Sequence, residues 1–144
     1  MLKVRLEQLE TFRTSVEETF SKRVAAYLLH HHPDLTVKIP AGTFTIKTLP
    51  PATLHTMVRT SLERARIYGI SWQSKLVAFV VLMFAVAPNF DEHPRVRAIL
   101  LREKIPPNER IDQLWDLTSN QDWEAIEQRY AVSAWNLSAQ ELPL

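Results

Sequence analysis

The chain has 144 residues, 46% hydrophobic and 23% charged, the size and balance of one globular domain able to bury its own core. Lys and Arg number 17 against 16 Asp and Glu, a net charge of +1, so there is no basic excess for gripping phosphates and nucleic acid is not an expected partner. Cysteine is absent, which excludes disulfides, thiolate nucleophiles and cysteine-based zinc sites and fits a reducing, cytoplasmic setting.

The amino terminus, Met1-Leu2-Lys3-Val4-Arg5-Leu6-Glu7, is amphipathic and lacks the apolar core and cleavage site of a secretory leader. From about residue 5 to residue 31, Leu9, Phe12, Val16, Phe20, Val24, Tyr27 and Leu28 recur three or four apart. That spacing predicts an amphipathic helix, ended by Pro33, which biases its predecessor out of the helical region. In 35–49 the period changes. Val37, Ile39, Phe44 and Ile46 alternate with threonine and lysine around Pro40-Ala41-Gly42, which reads as a short β-hairpin or extended excursion. Two strands alone are marginal in water, so this piece must lean on the helices or on a partner.

Pro50-Pro51 opens a second helix with Leu54, Val58, Leu62 and Ala65 on its stripe. Gly69 closes it, and Ile70 supplies the apolar contact of a left-handed cap. Ser71 is a candidate N-cap for the next helix, whose body is the uninterrupted apolar run 76–87. That run is twelve residues long, whereas a membrane span needs about twenty. It therefore predicts a buried central helix with neighbours on every side, stopped by Pro88. Asp91, or His93 before Pro94, is expected to cap a short helix carrying Val96, Ile99 and Leu100. Pro106-Pro107 opens another, with Ile111, Leu114, Trp115 and Thr118 on one face, and Ser119 or Asn120 caps the last, with Trp123, Ile126 and Tyr130. Periodicity then fades into a tail, 131–144, that holds Trp135. Only two glycines occur, too few for a many-stranded sandwich or barrel. The expected fold is thus mainly α: one helical domain over 1–144, about five to six helices packed around 76–87, with 35–49 inserted as a hairpin.

Few constellations carry chemistry. His30-His31-His32 cannot all face one metal, because consecutive helical residues point about 100° apart. They suit the negative end of a helix instead, and no metal or cofactor is expected. Asp91-Glu92-His93 looks like an acid–base cluster, yet no nucleophile or oxyanion donor completes it, and capping is the expected role of Asp91. Glu109, Asp112, Asp116, Asp122, Glu124 and Glu127 read as an acidic surface, and Arg59, Arg64, Arg66, Arg95, Arg97, Arg102 and Lys104 make the middle of the chain basic. Opposed faces of this kind steer protein partners. Trp72, Trp115 and Trp123 fall on helical positions and are expected in the core or at its edge. Trp135 in the tail, with Phe44 and Ile46 of the hairpin, are the residues expected to touch a partner, since tryptophan is enriched at interface hot spots.

Tyr68-Gly69-Ile70, Leu82-Met83-Phe84, Asn89-Phe90-Asp91 with Pro94, and Ile111-Asp112-Gln113-Leu114 resemble a loose group of small helical proteins encoded beside spike and toxin genes of bacterial type VI secretion systems. Leu6-Glu7-Gln8-Leu9 and the histidine-proline end of the first helix are similar too, whereas 35–49 departs from the pattern. The resemblance implies a setting rather than an activity, and no catalytic residue comes with it. The expectation is a cytoplasmic, non-enzymatic accessory protein that binds an effector, a toxin or another accessory protein as an adaptor or co-chaperone. Self-association is compatible with it, and neither a membrane nor nucleic acid is expected as partner. An immunity protein that occludes a toxin is the nearest alternative. A small hydrolase or toxin, using a pocket where Asp91 and His93 converge with a second polar cluster, is the alternative from a different class.

Overall fold

Helix dominates residues 2–137, the part of the chain that the computed structural model describes, with side chains described from residue 15 onward. α1 (Leu2–His31) runs until Pro33 stops it. Its Val24 and Leu28 are buried and Phe20 packs on the core, but Val16 and Tyr27 are exposed, so from residue 16 onward the predicted stripe is covered only in part. Leu9 and Phe12 lie outside the described side chains, as does 138–144 of the tail.

The excursion is a β-hairpin. β1 (Thr36–Ile39) pairs antiparallel with β2 (Gly42–Thr45), Val37 opposite Phe44 and Ile39 opposite Gly42. Neither Pro40 nor Ala41 has a positive φ, so the turn is not one of the primed types that match strand twist, and Gly42 at φ 139° takes up the mismatch. Pairing continues past the strands, where the Ile46 and Lys47 amides donate to the Leu35 and Pro33 carbonyls at 2.9 and 3.2 Å. Val37 and Ile39 are buried, and β1 packs on the third helix and the tail, which supplies the support that two strands need.

α2 (Pro51–Ile67) begins on Pro51 and ends at Gly69, whose φ of 82° and amide bond to the Arg66 carbonyl make the expected left-handed stop. α3 (Gln73–Ala85) follows. Leu76, Phe79, Val80, Leu82, Met83 and Phe84 are buried, and Phe79 lies between Tyr68 and Phe90 at ring separations of 6.0 and 4.9 Å. Each such phenylalanine contributes about 2 kcal/mol of transfer free energy. The expectation of neighbours on every side is too strong: Val77, Ala78 and Val81 are only half-buried and Ala85 is exposed. The start of α3 is capped from a distance. Asn108 Oδ1 accepts the amides of Ser71 and Trp72, both at 2.8 Å, while the Ser71 hydroxyl serves Asn108 instead of the helix.

The second half is a chain of short helices: α4 (Pro94–Leu100), α5 (Pro107–Arg110), α6 (Gln113–Leu117) and α7 (Asn120–Gln128). Arg110 closes α4 by donating to the Leu100 carbonyl at 3.1 Å, and Lys75 of α3 holds Asp112 at 2.8 Å. Ser119 caps α7 through a reciprocal box with Asp122. A final 3-10 turn, Val132–Trp135, brings the tail back to the core. The fold is mainly α, with one two-stranded sheet among the described residues, and none of the described helices is long and apolar enough to cross a membrane.

Candidate functional site

Two of the three residues expected to touch a partner are closed off within the chain. Ile46, at 0% exposure, is a core residue anchored where the hairpin returns to Leu35. Trp135, also at 0%, packs on Phe84 with ring centroids 4.8 Å apart, and its indole Nε1 donates to Tyr130 Oη at 3.1 Å. The tail turns inward because Asn89 holds it: Nδ2 donates to the Arg129 carbonyl at 3.0 Å and Oδ1 accepts the Ala131 amide at 2.9 Å. Asn136, left-handed at φ 55°, ends the turn. Phe44 is half-buried against the same core. A surface made of these three does not exist in this fold.

Asp91 and His93 do not converge either. Asp91 is buried, accepts from Arg64 Nε at 2.7 Å and from the Tyr68 hydroxyl at 2.5 Å, and ties α2 to the Phe90–Glu92 turn. Burial, then the bond to Asp91, pushes the Tyr68 hydroxyl well above the usual tyrosine range. Asp91 is therefore an ion-paired strut, and of the two expected caps it is His93 that serves, its Nδ1 accepting the Arg95 amide at 3.2 Å. Because Nδ1 accepts, a neutral His93 carries its proton on Nε2, which faces Asp122 at 3.8 Å. Nδ1 is thus engaged by the backbone, and His93 lines a hollow of about 170 Å³ with Glu92, Asn89 and Arg129 from which Asp91 is absent.

One serine–histidine contact went unnoticed in the sequence. Ser21 Oγ lies 3.1 Å from His55 Nε2, between α1 and α2. The buried hydroxyl donates to the Glu18 carbonyl at 3.0 Å, so it receives the imidazole proton and is not activated by it. Burial first, then Arg59 and Lys22, holds His55 below the usual histidine range. His55 also borders an apolar groove of about 510 Å³ floored by Ala25, Ala26, Leu29 and Leu54. His30 and His31, both exposed, end α1 and His32 follows it, and among the described residues no group of His, Asp and Glu is placed to hold a metal.

What the fold does present is tryptophan. Trp72 is exposed because it precedes α3 in extended conformation instead of joining its stripe. Trp115 is 63% exposed: Ile111, Leu114 and Thr118 take the buried face, and a residue one step from Leu114 is turned about 100° away from it. Half-buried Trp123 of α7 stands beside it, with ring centroids 6.2 Å apart at 34°. The Ser119–Asp122 box fixes the junction between the two helices and so the pair. Hydrogen bonds from the Ser119 amide and hydroxyl hold Asp122 below the usual carboxylate range. Around the rings, 111–128 carries five carboxylates and no lysine or arginine. Position in the helical stripe hid this face, since only one step of rotation separates Trp115 from the core.

No protein-family model matches the chain, and no curated protein or solved structure does.

Proposed function

We propose that this chain is a cytoplasmic, non-enzymatic protein-binding accessory factor, an adaptor or co-chaperone, serving a bacterial type VI secretion effector locus. The observation that carries the binding role is the exposed Trp115 beside Trp123 on a rigidly capped helix junction. Leaving so large an aromatic surface in water forgoes burial free energy, and tryptophan at such places anchors protein interfaces. The setting rests on the resemblance of the short motifs at 68–70, 82–84, 89–94 and 111–114. Coexpression with the products of neighbouring genes is expected to give a stable complex, and recovery with none of them overturns the proposal.

The acidic surroundings of the tryptophan pair favour one second reading, an immunity protein that covers a positively charged toxin face. Protection of cells that produce the active toxin separates the two, since an adaptor does not protect.

A further inference from the structure

We infer that the Trp115–Trp123 face docks an arginine-bearing segment of its partner, a refinement that rests on the protein-binding reading above. Asp112 stands three residues before Trp115 and Glu127 four after Trp123, so a carboxylate lies one helical turn from each ring. Asp112 is already neutralised by Lys75. Asp116, Glu124 and Glu127 make no ion pair among the described residues, and of the three Glu127 stands one helical turn from Trp123, so uncompensated charge shares the side of the aromatic pair. An anionic partner is repelled there, and a purely apolar one would strip water from these carboxylates with nothing in exchange.

A cation meets both features, because the face of an indole attracts positive charge and the carboxylates receive N–H groups. Guanidinium fits better than ammonium. It is flat enough to stack on Trp115, weakly hydrated, and able to donate two parallel N–H groups to one carboxylate. Trp123, half-buried below its neighbour, provides the wall that orders Trp115 before the partner arrives.

The test is titration of the full chain with a fluorescein-labelled Arg-Ser-Leu-Arg-Gly-Arg-Ser peptide and its Lys-Ser-Leu-Lys-Gly-Lys-Ser counterpart, read by anisotropy. The arginine peptide is expected to bind at least about threefold more tightly than the lysine one. Trp115→Ala is expected to weaken it about tenfold with an unchanged melting temperature. Glu127→Gln, which leaves the aromatic pair intact, is expected to weaken it about threefold and flatten its salt dependence. Equal binding of the two peptides, binding that survives Trp115→Ala, or no binding of the arginine peptide overturns the inference. If a partner copurifies through Trp115 while the arginine peptide does not bind, the inference fails and the protein-binding reading stands. If the peptide binds as described and no partner requires Trp115, the reverse holds.

Discussion

At Tyr130 a single hydroxyl accepts two N–H groups, the Lys38 amide at 3.0 Å and the Trp135 indole at 3.1 Å, and so joins the hairpin to the tail. Burial pushes its pKa up, so the hydroxyl stays protonated and remains a neutral acceptor through the physiological range. Replacing Tyr130 by phenylalanine leaves the buried indole N–H without a partner, and the expected cost is about 1–2 kcal/mol, read by denaturant unfolding. Asp91 carries more. Asp91→Ala leaves the Tyr68 hydroxyl without its acceptor and Arg64 with only its longer 3.4 Å contact to Glu92, and the expected loss is about 2–3 kcal/mol in the same measurement. An unchanged unfolding midpoint would show that neither group depends on that carboxylate. Neither role could be read along the chain, because Tyr130 meets Lys38 92 residues away and Asp91 meets Tyr68 and Arg64 23 and 27 residues away. Sequence spacing identified Tyr130 as a stripe residue and Asp91 as a cap, since local rules describe only local partners.

Among the elements, those set by local chemistry were legible. Pro33, Pro51, Pro94 and Pro107 mark helix boundaries because a ring that fixes φ and lacks an N–H fits only a first turn or a stop. Gly69 ends α2 for a second reason besides its positive φ: a Cβ there would meet Pro107 Cβ and Cγ at 3.2 Å. Gly69→Ala therefore strains the backbone and presses on the start of α5 at once. About 1–2 kcal/mol of destabilisation is expected by thermal melting, and a variant as stable as the parent would show that the junction gives way freely. The start of α3 was not legible. Ser71 has the chemistry of a cap, but Asn108 occupies the amides from across the fold. The hairpin was legible as alternation, while its destination was not: β1 lies against α3 and the tail, so the apolar face that could have waited for a partner is already covered.

For the molecule as a whole, residues 68–70, 89–94 and 111–114 tie the helices together. Tyr68 bonds Asp91, Phe90 packs on Phe79, Asn89 holds the tail, and Ile111 and Leu114 bury the face from which Asp112 reaches Lys75. They explain how the chain folds, whereas the tryptophan pair, which none of these segments includes, carries the proposed partner site. Stability should also depend on pH through His55. Its folded pKa lies below the ordinary value of about 6.5, so the unfolded chain takes up the proton more readily. The contribution is complete above about pH 6.5 and is lost as pH falls through the depressed folded value. His55→Gln should accordingly flatten the melting temperature between about pH 7 and pH 5, and an identical acid slope would place the titration elsewhere.

The apolar run 76–87 remains the packing centre, although its helix, α3, stops at Ala85, three residues before Pro88, and one side is less covered than its composition suggested. The proposed binding face lies one helical step away from the core. The direct test compares two tryptophans, Trp115→Ala and Trp135→Ala, for thermal stability and for recovery of the coexpressed partner. Trp115→Ala is expected to melt like the parent and lose the partner, whereas Trp135→Ala is expected to lose about 3–5 kcal/mol of stability. Retention of the partner by a folded Trp115→Ala variant would contradict the assignment of this face.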